Sequence, residues 1–390
     1  MKKFLRWSVV VLFFLLSGCG GKEADKNAKE GAASESTAES TKAKEEAQVQ
    51  LNFSAVGDNL IHDFIYDHLR QPDGTYRFDE MYEPTQYLNK DRDIAYINLE
   101  TICGGEELGL SGYPTFNGPT QVLDSLHKAG YNWLSAASNH TMDKGEEGIV
   151  KQLEYLERYP DITVTGSQKS PEAKRLQVKE IKGVKVGLMS YTFGLNGIPL
   201  PEGKEYLVNL IDEEQIKKDM QELNKQSDVQ IVSMHWGEEY QFVPNETQTQ
   251  LAQLLSDAGV DVIVGGHPHV IQPMDYLTGE AGNQTLVMYS LGNFISSQAE
   301  NDRMLGGMGR WTIDYDKKKK DVSFEQVEFW PTITYIGDNY QTYKTYALKD
   351  YTDELAAQHM IHVNQGQDLS RNYFIERTKQ IMNDKVKIVY

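Results

Sequence analysis

Carboxylates, asparagines and imidazoles recur in this chain at one kind of place, directly after short apolar runs. Asp58 and His62 follow Val49–Val56, and Glu100 closes Asp93–Leu99. Asn139 and His140 follow Tyr131–Ala137, His235 and Glu239 follow Val229–Met234, and His267 and His269 follow Val260–Val264. Such a mixture of nitrogen and oxygen donors suits one or two divalent ions of intermediate hardness, zinc, manganese or iron. A single histidine at such a place is most often a hydrogen-bonded surface or core residue. Of the nine histidines, however, His62, His140, His235, His267 and His269 all stand there, and repeated placement points to a shared purpose. Gly57, Gly237, Gly265 and Gly266 beside them permit tight turns and close backbone approach.

The apolar runs that must position these groups are short, nearly continuous and rich in Val, Ile and Tyr, as strands buried on both faces are. Further runs of this kind are Asp161–Thr165, Val184–Thr192 and Thr285–Leu291. Helices are predicted between them at Pro119–Ala129, Glu146–Tyr159, Asp212–Gln226 and Glu246–Ala258, with Gly130 and Gly259 as stops. Strand and helix in alternation predict a layered α/β fold, in which ligands bind beyond the carboxyl ends of the strands. Lys317–Lys320, flanked by Asp314, Asp316 and Asp321, reads as a solvated hairpin turn. After Phe329-Trp330-Pro331 the strand signal weakens. Helices near 351–363 and 371–383 then predict a main domain over residues 49–335 and a small helical C-terminal appendage over 336–390.

The chain has 390 residues and a net charge of −18, which disfavours non-specific attraction to nucleic acid or anionic lipid. Lys2, Lys3 and Arg6 precede the apolar run Trp7–Leu16, shorter than the roughly 20 residues of a membrane-spanning helix. The run ends in Leu16-Ser17-Gly18-Cys19, which resembles the bacterial lipobox. Residues 1–19 therefore predict a signal peptide with lipidation at Cys19, and a protein held by lipid on the extracellular face of the cell membrane. An ordinary signal peptide or short anchor with an incidental cysteine is the plainer alternative. Residues 20–48 contain Ala as their only apolar type and predict a disordered tether, or in part an Ala/Glu/Lys-rich helix. Cys103, the other cysteine, has no intrachain partner for a disulfide.

In order, the pieces resemble the dinuclear metallophosphoesterase pattern. Gly57-Asp58, Asn98-Leu99-Glu100, Ser138-Asn139-His140-Thr141-Met142-Asp143-Lys144-Gly145, His235-Trp236-Gly237-Glu238-Glu239-Tyr240, Gly266-His267-Pro268-His269-Val270 and Tyr289-Ser290-Leu291-Gly292-Asn293-Phe294 more closely resemble the bacterial capsule-synthesis CapA (poly-γ-glutamate, PgsA-like) family. The resemblance covers roughly residues 50 to 300. It implies a calcineurin-like metallophosphoesterase sandwich of two sheets flanked by helices. It also implies a role in making, anchoring or trimming poly-γ-glutamate or a related anionic envelope polymer, in company with capsule synthesis proteins. By the same resemblance Glu100, Asn139, His235 and His267 would hold one ion, Asp58, Glu100 and His269 a second, and His140 would serve as general acid or oxyanion donor. Leu60 stands where the phosphoesterase pattern has histidine, so His62 would replace it only if the turn after Asp58 folds back. Glu239 is expected to fix the tautomer of His235, and Asn293 to orient a ligand or the turn from His267 to His269. Two functions follow from this pattern, a metal-dependent hydrolase acting on a phosphoester or γ-glutamyl amide, and a non-catalytic scaffold that holds polymer or recruits a synthesis complex.

Overall fold

The computed structural model describes residues 47–390. The signal segment, Cys19 and all but the end of the expected tether lie outside the described residues. No helix among the described residues is long and apolar enough to cross a membrane.

The chain enters as β1 (Gln48–Asn59), then passes through α1 (Asp63–Leu69) and α2 (Asp79–Gln86) to β2 (Ile94–Asn98). It continues through α3 (Gln121–Lys128) to β3 (Trp133–Ser135), and through α4 (Gly145–Leu156) to β4 (Thr163–Thr165). These four strands pair in parallel in chain order. A second sheet follows, from β5 (Gln177–Ile181), β6 (Val184–Thr192), α5 (Glu213–Gln226), β7 (Val229–His235), α6 (Glu246–Asp257), β8 (Val262–Gly266), β9 (Met274–Thr278) and β10 (Gln284–Met288). Its order is β5-β6-β7-β8-β10-β9, parallel in the middle and antiparallel at both edges. The chain then returns to the first sheet. β11 (Asn293–Ile295) pairs in parallel with the end of β1. After α7 (Asn301–Met304), β12 (Leu305–Asp316), β13 (Asp321–Gly337) and β14 (Thr342–Ala347) extend the sheet beyond β1. Last come α8 (Asp353–Gln358), α9 (Met360–Gln365), α10 (Arg371–Ile381) and β15 (Lys387–Ile388), the strand pairing with β13.

Alternation along the strands of the second sheet sets the layers. Val184, Val186, Leu188, Val229, Ile231, Val262, Val264, Leu286 and Met288 enter the large core shared with the first sheet. Met189, Tyr191, Val232, Met234, Ile263 and Val287 point the other way, against Ile216, Met220 and Leu223 of α5 and Leu251, Ala252 and Leu255 of α6. On the far side of the first sheet, Met81, Tyr82, Val122, Leu123 and Leu126 of α2 and α3 complete the same large core. The result is the expected layered sandwich, two sheets flanked by helices.

The C-terminal boundary is corrected. β13 runs across residues 335 and 336, β14 and β15 pair with it, and Tyr343, Leu348, Tyr351 and Phe374 belong to the large core. Residues 336–390 are therefore part of the sandwich, although they do carry the expected helices. Pro331, which reads as a strand terminator, falls between the part of β13 that pairs with β15 and the part that pairs with β14. The lysine run does form the hairpin between β12 and β13, with the Asp316 carboxylate accepting from the Lys318 and Lys319 amides.

Gly57 is required where β11 meets β1. A Cβ there would stand 1.8 Å from the Gly292 carbonyl oxygen, beside the bond from the Asp58 amide to that same oxygen at 2.8 Å. Gly57→Ala is expected to lower unfolding free energy by about 3 kcal/mol or more, read by chemical denaturation. A second expectation concerns pH. Burial pushes the Asp261 carboxyl up to about 7, against the opposing bond from the Gln230 amide. A carboxyl raised on folding stabilises while protonated, and that contribution is lost as pH rises from about 4 through about 7. Asp261→Asn should therefore be more stable than the parent above pH 7, with the gap closing toward pH 4. Parallel denaturation curves would expose the error.

Candidate metal centre

The strand ends of both sheets meet at one edge of the sandwich. Asn98 and Glu100 project from the end of β2 at a spacing of two, hence to the same side. The Asn98 amide nitrogen donates to Asp58 Oδ1 at 2.7 Å and lies 3.1 Å from His235 Nδ1, joining the ends of β1, β2 and β7. Only glycine fits at 266, because a Cβ there would lie 2.6 Å from Asp58 Oδ1 and 2.9 Å from Asn98 Nδ2.

Glu100 occupies the centre. It is fully buried, and neither carboxylate oxygen has a hydrogen-bond partner. His235 Nε2 lies 3.7 Å and His269 Nε2 3.6 Å from its Oε1. Ligand atoms of Glu100, His267 and His269 fall within 4.8 Å of one another, and His267 Nδ1 is likewise buried without a partner. Asn139 Oδ1 lies 2.9 Å from His235 Nε2. Orphaned acceptors of this kind, converging in a buried space, fit a divalent cation.

Electrostatics agree with that fit. Burial, then the neighbouring imidazoles, hold His235 well below the ordinary histidine range. Burial and then His269 push His267 down to about 3. Both rings are thus neutral, and at His267 the unpartnered Nδ1 is free to face a metal. Burial drives the Glu100 carboxyl well above the carboxylate range. At His269 burial acts downward but is outweighed by Glu100 and Asp58, which push the ring up to about 9. Glu100 Oε1 and His269 Nε2 stand 3.6 Å apart, and a divalent cation held by both would take the place of their protons.

The remaining expected residues take varied places. Asp58 sits behind His269, with Oδ2 3.1 Å from its Nδ1, while both carboxylate oxygens accept from the His267 amide at 3.2 and 3.3 Å. It is therefore a carboxylate backing an imidazole. His267 and His269 have φ of +97° and +59°, a strain of order 1–3 kcal/mol each that surrounding bonds must sustain. The Asp58 carboxylate does so at His267, and the Tyr240 amide holds Pro268 O at 2.8 Å. Asn293 contacts His269 Nδ1 through its Oδ1 at 3.0 Å and donates to the Arg303 carbonyl. His140 is buried beside the cluster with Nδ1 2.7 Å from Asp143 Oδ2, its ring edge-on to Phe116 at 4.6 Å.

Two expectations fail. His62 does not fold back, because Leu60 N–H continues the pairing to Ile295 O and Leu60 itself is buried. That carries His62 to the start of α1, where Nδ1 lies 3.1 Å from Leu60 O and burial pushes the ring down to about 4. Glu239 is exposed and does not reach His235, whose Nδ1 meets Asn98 instead. Its carboxylate stands by Tyr240, where burial and then Glu239 push the hydroxyl up to about 12. Sequence reasoning gave no role of their own to Asn98 or Asp143, and read Phe193 and Asn196 only as part of a rim, Tyr191–Asn196, at a further strand end. The first two carry a signal, two residues before Glu100 and three after His140. The last two lie on a loop whose approach to the site depends on the second sheet.

Comparison with known proteins places this geometry in context. A segment of 183 residues is 33% identical to a PGA biosynthesis protein CapA of Bacillus subtilis, covering 44% of this chain and 44% of that protein. A second, of 182 residues, is 31% identical to a capsule biosynthesis protein CapA of Bacillus anthracis, covering 46% and 43%. The matches thus span under half the length of these relatives. Among solved structures, the Haemophilus influenzae NAD nucleotidase is similar with a TM-score of 0.48 at 14% identity, over 85% of this chain and 67% of that one. The model of one family, described as bacterial capsule synthesis protein PGA_cap, matches residues 52–298. That span holds every residue of the buried cluster and most of the chain, and it is to the PGA_cap family that this protein belongs.

Proposed function

We propose that the chain is a lipid-anchored, cation-dependent hydrolase on the extracellular face of the cell membrane, acting on poly-γ-glutamate or a related anionic envelope polymer during capsule synthesis. The observation that carries the reading is the buried Glu100 carboxylate, without a hydrogen-bond donor and faced by His235, His267 and His269. Glu100, His267 and His269, with His235 and Asn139 at their side, would hold zinc, manganese or iron. When bound, the ion would supply Lewis-acid polarisation of a phosphoryl or carbonyl oxygen and lower the pKa of water. The chain's own groups do the rest. Asp143 accepts from His140 Nδ1–H, which fixes the ring and presents the opposite nitrogen to a leaving group. Capsule synthesis is supported by the family. Anchoring is supported by Leu16-Ser17-Gly18-Cys19 after the basic and apolar segments. A net charge of −18 repels an anionic polymer at long range, so the cation would be its local point of attraction.

Chelator treatment of the full chain, followed by reloading with each ion, tests the reading through ion content and turnover of phosphoester and γ-glutamyl amide substrates. Glu100→Gln and His235→Ala should each lower ion content and reduce turnover by at least about a hundredfold, with the fold retained by circular dichroism. Asp143→Asn should keep the ion and lose turnover by about a hundredfold. Tight ion binding with no turnover on either substrate class would replace hydrolysis with the scaffold role.

A further inference from the structure

Against two of the imidazoles stands a phenylalanine that the chain leaves half in water. Phe193 follows β6, and its ring centre is 4.6 Å from that of His267 and 6.3 Å from that of His235, parallel to the latter within 8°. The residue is 48% exposed. Apolar area left in water disfavours the exposed state by about 25 cal/mol per Å², so a ligand that covers this ring gains from doing so.

The loop that carries it is fixed to the site at both ends. The Phe193 amide donates to the His235 carbonyl at 3.0 Å. Three residues on, Asn196 accepts from Asn139 Nδ2 at 3.2 Å, which turns Asn139 Oδ1 toward His235. Between these ties, a Cβ on Gly194 would meet no atom within 4 Å, so the chain does not close over that stretch. One face of the aromatic ring is thus held against the imidazoles, and the remainder is presented at the edge of the buried cluster.

We infer that Phe193 is a specificity-determining shelf that receives the part of the substrate next to the scissile group. It favours substrates whose flanking segment is apolar or flat, a run of methylenes or a ring, over those with nothing there. The γ-linked backbone of a glutamate polymer, with methylenes between its amides, has such a segment. The inference rests on the cation cleft proposed above taking an oxyanionic or carbonyl group. The competing account is that Phe193 only buttresses the two imidazoles, in which case its loss would be felt by the ion.

Phenylphosphonate and methylphosphonate separate the two accounts, because they present the same oxyanion and differ in the ring. Titration calorimetry on the ion-loaded full chain should show phenylphosphonate binding about tenfold tighter. Phe193→Ala should bring the ratio close to one while leaving ion content and methylphosphonate affinity unchanged, and Phe193→Leu should keep part of the preference. A preference that survives Phe193→Ala overturns the shelf, as does equal binding of both ligands by the parent protein. Loss of ion from Phe193→Ala establishes the buttress instead. If neither phosphonate binds the loaded protein, the cleft is no oxyanion site, and both the proposed hydrolase and the shelf fall.

Discussion

Glu100 is buried to 0% exposure with no donor to either oxygen, and a folded chain sustains a carboxylate there only by keeping it protonated or bringing a positive charge to it. The surroundings are arranged for the second. Three imidazoles face it, two of them held neutral, and Asp58 and the Asn293 side-chain carbonyl oxygen contact Nδ1 of the third, His269. The strained backbone at His267 and His269, the glycine at 266 and the link through Asn98 all serve that one arrangement. Remove the carboxylate, and these features have no common explanation.

Much of this was legible in the sequence, for a physical reason. Strands buried on both faces leave near-continuous apolar runs, and the polar residue that ends such a run stands at the carboxyl edge, where α/β sheets bind ligands. Glu100, His235, His267 and His269 were accessible by that argument alone. What stayed hidden was partnership. Asn98 and Asp143 are polar residues near polar residues, and nothing in their spacing says that one joins three strands and the other holds an imidazole. Glu239 was misassigned because nearness along the chain was taken for nearness in space. Asn98 takes the place beside His235, and the Glu239 carboxylate stands by Tyr240. The C-terminal strands were missed because β14 is only half-buried and β13 contains a proline, so neither has the doubly buried pattern.

The two sheets contribute unequally. Carboxylates and the amides of Asn98 and Asn139 come from the first sheet, the imidazoles at 235, 267 and 269 from the second, and β11 joins them by lying opposite Asp58 with Asn293. The centre is therefore an interface between layers, and its geometry is as stiff as the core between them.

The central place of β1 has a consequence for when the protein becomes competent. One side of that strand pairs with β2, nearby in sequence, but the other pairs with β12, and its tip pairs with β11. Contacts so distant along the polypeptide form slowly, and they wait until residues 293–316 are available. During synthesis the early segments would emerge with their carboxylates and imidazoles still apart, unable to capture an ion from the surrounding medium. If the chain is exported unfolded, the identity of its metal is decided by what the destination compartment offers at the moment of final collapse, and not by the ion pools of the cytosol in which the ribosome works.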